Sequence, residues 1–255
     1  MLEIKNVSFE YKRHEPVLSD ISFSVNDGTF LAVLGNNGSG KSTLLHCLSG
    51  ILKPIQGDIL YEGKSMCRTS KSDLSKLISL VEQDHRPSIM TVFDAVLLGR
   101  KPYIATHSKS QNLRIVQDAI NTLGINSIAL RELDELSGGE RQKVNLARVL
   151  AQESCVMLLD EPINGLDIYS QHSVLQWIKR LVMDKAIISI MAIHDINLAL
   201  QYCNKFLIID NKTIYDYGDK EVLDEKCLRD VYSVDVEVLK GEHFDVLRVK
   251  GVLDQ

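Results

Sequence analysis

Gly35-Asn36-Asn37-Gly38-Ser39-Gly40-Lys41-Ser42-Thr43 follows the pattern of a glycine, four free positions, then glycine, lysine and serine or threonine. The chemistry of that pattern is phosphate binding. The apolar run Phe30 to Leu34 leads into it and Ser42 to Ser49 leads out. The glycines therefore fall at a strand-to-helix junction, where backbone N–H groups face an anion. Glycine suits the loop because the backbone must adopt conformations that a Cβ forbids and must lie close to the phosphate oxygens. Lys41 then supplies a point charge for β and γ phosphates, and the Ser42 hydroxyl an oxygen ligand for magnesium.

Further along, the apolar run Cys155 to Leu159 ends in Asp160-Glu161. Adjacent carboxylates at the exit of a buried strand are costly unless a cation or a proton transfer employs them. Asp160 suits magnesium, directly or through water, and Glu161 suits a general base on the attacking water. The run Leu77 to Val81 delivers Gln83, which could hold magnesium or water or be an ordinary polar strand end. Ile187 to Ile193 places His194 at its end, either a γ-phosphate donor or a hydrogen-bonded core histidine. Leu136-Ser137-Gly138-Gly139-Glu140 precedes the helical stretch Arg141 to Gln152. It offers a second anion site or a plain glycine N-cap. Tyr11, beside a charged loop, could present its ring to a flat base or simply pack.

The elements that must position these groups alternate in type. Leu2 to Val25 alternates apolar and polar residues, as half-buried antiparallel strands do, and Asn26-Asp27-Gly28 ends it. Gly50 and Pro54 close the helix after the loop, and a short strand follows from Asp58 to Tyr61. Thr91-Val92-Phe93-Asp94 has the form of a capping box, and Gly99 and Pro102 are expected to break the helix it starts. The stretch from about Arg86 to Glu135 is mostly helical by period, Asn112 to Leu123 most clearly. Asn164-Gly165-Leu166-Asp167 turns into a helix over Ile168 to Val182. The last fifty or so residues read as a hairpin about Asn211-Lys212, a helix near Glu225 to Tyr232 and strands Val234 to Leu239 and Phe244 to Val249, with no chemistry of their own. The fold class is α/β, a parallel phosphate-loop core with an N-terminal antiparallel part and an inserted helical part.

The 255 residues can bury a substantial core. A net charge of -5 disfavours a nucleic-acid protein that binds through a basic surface. No apolar stretch approaches the ~20 residues of a membrane helix, and the chain opens on strand-like Leu2-Glu3-Ile4, so a soluble, non-exported protein is expected. The 5 cysteines lack metal or disulfide spacing and are expected as buried reduced thiols, and the 7 histidines are scattered.

In order and spacing, the loop at Gly35 to Thr43, Gln83, Leu136 to Glu140, Asp160-Glu161, Asp167 and His194 resemble an ATP-binding cassette (ABC) ATPase over essentially the whole chain. Leu-Ser-Gly-Gly ahead of an apolar run ending in Asp-Glu carries most of that resemblance. It implies that Tyr11 stacks on adenine, that Gln83 touches magnesium and the attacking water, and that His194 holds the γ-phosphate. Ser137, Gly138 and Gly139, with Leu136 and Glu140 completing the signature, would bind ATP held by a second cassette. Asp167 would couple the paired sites, so the active form implied is a head-to-tail dimer around ATP and magnesium. The cassette would comprise a core over 1–85 and 153–255 and a helical subdomain over 86–152. Glu140 stands where glutamine is more frequent, and Pro-Ile-Asn-Gly-Leu-Asp stands where Ser-Ala-Leu-Asp is usual.

Thr91 to Arg100, His194 to Cys203 and Val231 to Val236 look like cassettes of importers for iron siderophores, haem and cobalamin. That resemblance implies a membrane permease on whose cytoplasmic face the cassette sits, and an extracytoplasmic binding protein. The alternative is a soluble ABC ATPase of iron-sulfur cluster assembly, without a permease, against which the Gly99-Arg100 segment speaks.

Overall fold

The computed structural model describes residues 1–12, 15–82, 89–241 and 246–252. Gln83 lies outside the described residues. In chain order the elements are β1 (Leu2–Glu10), β2 (Pro16–Val25), β3 (Phe30–Leu34), α1 (Lys41–Leu48), β4 (Gln56–Tyr61), β5 (Lys64–Ser65), α2 (Lys71–Leu77), β6 (Ile78–Val81), α3 (Val92–Leu97) and α4 (Lys109–Thr122). There follow α5 (Gly138–Gln152), β7 (Val156–Asp160), α6 (Ile168–Lys185), β8 (Ile188–Ala192), α7 (Ile196–Tyr202), β9 (Lys205–Asp210), β10 (Thr213–Gly218), α8 (Glu225–Tyr232), β11 (Val234–Leu239) and β12 (Val246–Val252). They form two compact units, one of Met1–Thr69 with Lys179–Gln255 and the other of Ser70–Ile178.

In the first unit, the alternating N-terminal residues form an antiparallel sheet in the order β2-β1-β4-β5. Leu2 and Ile4, then Val7 and Phe9, are buried along β1, a period of two that shifts by one residue at a bulge where Asn6 takes φ 51°, and Ile21, Phe23 and Val25 keep the period in β2. A second set of strands runs β10-β9-β3-β8, with β3 parallel to both β8 and β9. All five residues of β3 and of β8 are buried, β3 as an unbroken apolar run and β8 with the buried Ser189 among its apolar residues. Asn211 and Lys212 join β9 to β10 with φ of 45° and 71°, the left-handed pair that a two-residue hairpin demands. A C-terminal hairpin, β11-β12, shares a small core with α8 through Leu228, Val236 and Leu247.

The second unit pairs β6 in parallel with β7 and packs α3, α4 and α5 around Val92, Val96, Val116, Ile120, Val144 and Ala147. Thr91 caps α3 by accepting from the Asp94 N–H, as its sequence predicts. Gly99 does not stop that helix. The chain continues into a 3-10 turn over Leu98–Tyr103, and a Cβ on Gly99 would stand 2.3 Å from the Arg148 carbonyl oxygen. The glycine is there to let α5 approach. Helix α2 had no clear periodic signal, and it takes Leu77 from the strand expected to begin there. Gln152 donates to the carbonyls of Ser75 and Ile78, which ties the end of α5 to α2 and the start of β6.

Cys47, Cys203 and Cys227 are buried free thiols, whereas Cys67 is exposed, which corrects the expectation for that residue. Burial pushes the Cys47 and Cys227 thiols up to about 12. Among the described residues, no helix is long and apolar enough to cross a membrane.

Candidate active site

The phosphate loop lies in the first unit, between β3 and α1. Gly35 has φ 143° and Gly40 φ 108°. A Cβ on Gly35 would lie 2.2 Å from the Ile209 carbonyl oxygen, and one on Gly40 would lie 2.9 Å from that of Val17. Both glycines are therefore demanded by conformation and by space. Gly40 is the N-cap of α1 and gives it no side-chain cap, so the first amides of that helix are left for an anion. The Ser39 hydroxyl is buried and has no hydrogen-bond partner among the described residues. A buried hydroxyl without a partner costs on the order of 1–3 kcal/mol, and a phosphate oxygen would satisfy it. The Lys41 ammonium, 6% exposed, donates to the carbonyls of Gly35 at 2.8 Å and Asn36 at 2.9 Å. Asn37, Gly38 and Ser42 face solvent.

Tyr11 reaches this loop from the end of β1. Its hydroxyl lies 3.3 Å from that of Thr43, and Phe9 steadies it edge-on at 5.0 Å. The ring is 60% exposed, so a face remains open to a planar group. His194 also belongs to this unit. Val33 of β3 pairs with Ala192 of β8, so Gly35 and His194 both emerge two residues beyond a matched pair. The parallel register brings the histidine to the loop's edge of the sheet.

In the second unit, the pairing of Val81 with Leu159 makes Glu82 and Asp160 leave neighbouring strands side by side. They line a cavity of about 280 Å³ with Gly138, Gln142, Glu161 and Gly165. Glu161 adopts a left-handed φ of 48°. That conformation turns the chain, and the Asn164 side-chain amide donates to its carboxylate at 3.0 Å. The unusual Pro-Ile-Asn-Gly segment thus supplies a donor for the carboxylate. Neither Asn164 nor Glu82 was singled out from the sequence; the three-residue return from Glu161 to an amide side chain was the signal available for the first.

A family model for the ABC transporter matches residues 18–164, more than half of the chain. The chain belongs to the ABC transporter family. An ABC transporter ATP-binding protein of Methanocaldococcus jannaschii is 41% identical over 94% of this chain and 95% of its own. The hemin import ATP-binding protein of Thermobifida fusca is 38% identical over 88% of this chain and 79% of its own. A solved inward-facing transporter of metal-chelate type superposes with a TM-score of 0.83 at 30% identity, covering 98% of this chain and 97% of that one. The α/β cassette fold follows, as does the activity of an ATP-binding ATPase.

The cassette's signature segment departs from the plain glycine cap. Ser137, not a glycine, is the N-cap of α5, and the helix begins at Gly138, three residues before the start at Arg141 expected from the sequence. Ser137 Oγ accepts from the Glu140 N–H, while the Glu140 carboxylate accepts from the Ser137 N–H at 2.9 Å and from its hydroxyl at 2.7 Å. Glu140, the departure from glutamine, therefore completes a reciprocal capping box. Gly139 sits within this first turn, where a Cβ would meet Ser170 Oγ at 3.3 Å. Leu136 is buried just before it. Asp167 accepts from the Ser170 N–H at 2.9 Å and its hydroxyl at 3.0 Å, and these bonds hold its carboxyl below the usual range.

The bonds from Ser137 likewise hold the Glu140 carboxyl low. A carboxylate depressed in the folded state adds stability above its unfolded pKa of about 4.3 and loses it as pH falls through the lower folded value. Urea denaturation across that acid range should therefore show a steeper loss of stability in the wild type than in Glu140→Gln, which keeps the cap geometry without the titration. Parallel curves for the two proteins would refute this account of the cap.

Proposed function

We propose that this cassette is the ATP-hydrolysing subunit of an importer for metal chelates of the siderophore, haem or cobalamin class. The observation that carries the reading is the near full-length likeness to a transporter of metal-chelate type. The hemin import relative supports it. In this reading Tyr11 stacks on adenine and Gly35 to Thr43 wrap the phosphates. Lys41 and His194 would hold the γ-phosphate, and Ser42, Asp160 and Gln83 would hold magnesium. Ser42 and Asp160 each carry the hard oxygen donor that magnesium prefers. Bound there, the ion would offset phosphate charge.

Glu161 takes a proton from the attacking water, with the Asn164 amide fixing the orientation of its carboxylate. Leu136 to Glu140 address the ATP of a second, identical cassette, and Asp167 meets that partner beside its own site. Because one phosphate loop and one signature occur in the chain, two chains closing head to tail make two complete sites. Closure around ATP excludes bulk water, and hydrolysis lets the dimer reopen, so a chemical cycle becomes a mechanical one. The core comprises 1–85 and 153–255 and the helical subdomain 86–152. A membrane permease docks on the helical side, with the cassette peripheral at the cytoplasmic face and a binding protein delivering the chelate outside.

The test is to tag the chain, solubilise host membranes gently and identify copurifying proteins by mass spectrometry. A permease of many membrane helices is expected. Soluble partners alone would overturn the importer reading and favour a cluster-assembly ATPase.

A further inference from the structure

The C-terminal segment, from which the sequence suggested no chemistry, is bonded to the phosphate loop. Helix α8 ends at Tyr232, where Ser233 takes φ 54° and turns the chain away. The carbonyls of a last helical turn have no partner within the helix. One of them, that of Val231, accepts a hydrogen bond of 2.5 Å from the Asn36 side-chain amide, across 195 residues of sequence. The next residue faces the same segment: the Gly35 backbone amide acts on the Tyr232 hydroxyl, against the burial that pushes its titration up. The Tyr232 ring packs against the core of Leu228, Val236 and Leu247. This core has a second anchor, because Asn197 of α7 exchanges hydrogen bonds with the Leu247 backbone, donating at 3.2 Å and accepting at 2.7 Å. The end of α8 thus bonds to the entrance of the phosphate loop, and the hairpin packed on α8 bonds to the helix that follows His194.

Gly35 and Asn36 are also the residues whose carbonyls receive the Lys41 ammonium. We propose that Tyr232 and the Val231 carbonyl are positioning groups that clamp Gly35 and Asn36, so that the Lys41 ammonium is held in place for the nucleotide phosphates. The inference rests on the reading of the loop as the ATP site. Fixing the loop before binding lowers the ordering cost that the nucleotide must otherwise meet. The conformational freedom removed is that of the two peptides next to the lysine.

The test uses the full chain, with Mg-ATP as the probe, in calorimetry and steady-state hydrolysis. Tyr232→Phe keeps the ring in its core and deletes only the hydroxyl. It should weaken Mg-ATP binding about 5-fold, as loss of one hydrogen bond predicts. KM should rise by a similar factor while kcat changes little, because the clamp touches neither Glu161 nor water. Asn36→Ala should behave alike, and the double variant should lose less than the product of the single effects, since both bonds hold one segment. A Tyr232→Phe protein that binds Mg-ATP as the wild type does, whether or not its melting temperature falls, would overturn the clamp alone. A wild type that fails to bind Mg-ATP would overturn both the clamp and the reading of the loop.

Discussion

Glu161→Gln should lower the steady-state ATPase rate by about 10²–10⁴-fold, the contribution of a positioned general base, while ATP still binds. The substitution is close to isosteric. Its amide oxygen can still accept from Asn164, so the turn at Glu161 and its left-handed φ of 48° are retained. What disappears is the capacity to take a proton from water. With binding intact and turnover blocked, the closed ATP-bound dimer should accumulate and elute as a larger species when ATP and magnesium are present. Size-exclusion chromatography with and without ATP, together with phosphate release, checks both halves. Hydrolysis at the wild-type rate would remove Glu161 from the role of base. Asn164→Ala should have a smaller effect, because it loosens the carboxylate without deleting it.

Arg100→Ala should cost about 3–5 kcal/mol of stability, from the cavity it opens and the buried acceptors it leaves unsatisfied. Arg100 is fully buried in the helical part of the second unit. Its guanidinium donates to the Asn112 side chain at 3.0 Å, to the Ala151 carbonyl at 2.5 Å and to Glu153 at 2.7 Å. It also lies 2.8 Å from His107 Nδ1 and 4.2 Å from the centre of the Tyr103 ring. Guanidinium has no acceptor, so it donates and Nδ1 accepts. Removing the arginine leaves these acceptors without their donor and opens a void at the junction of three helical segments.

Glu153→Gln should cost at most about 1 kcal/mol, since the Glu153 side chain is 44% exposed and water replaces the lost partner. Urea denaturation followed by far-UV circular dichroism distinguishes the two. Equal losses would mean that the ion pair, and not the satisfaction of buried acceptors, makes Arg100 matter.

The pattern of residues by itself determined the phosphate loop, the order of most strands and helices, and the positions of Asp160, Glu161 and His194 at strand exits. Each of these signals is local. A glycine-rich loop is built from consecutive residues, and a buried parallel strand announces itself as an apolar run such as Val156 to Leu159. Gly99 was misread because a glycine that lets a neighbouring helix approach looks, along the chain, the same as one that ends a helix. Only the tertiary structure could tell them apart, through the Arg148 carbonyl 2.3 Å from where a Cβ would lie.

The same limit hid the buried contacts of Arg100, whose partners Ala151 and Glu153 come from the end of a helix some fifty residues on. It hid the clamp as well. Asn36 and Val231 are 195 residues apart, and nothing in the composition of either segment encodes the other. Hydrogen-bond donors and acceptors are common on every stretch of chain. Which ones meet is decided when burial of the apolar faces of α8, β11 and β12 brings the Tyr232 hydroxyl to the phosphate loop.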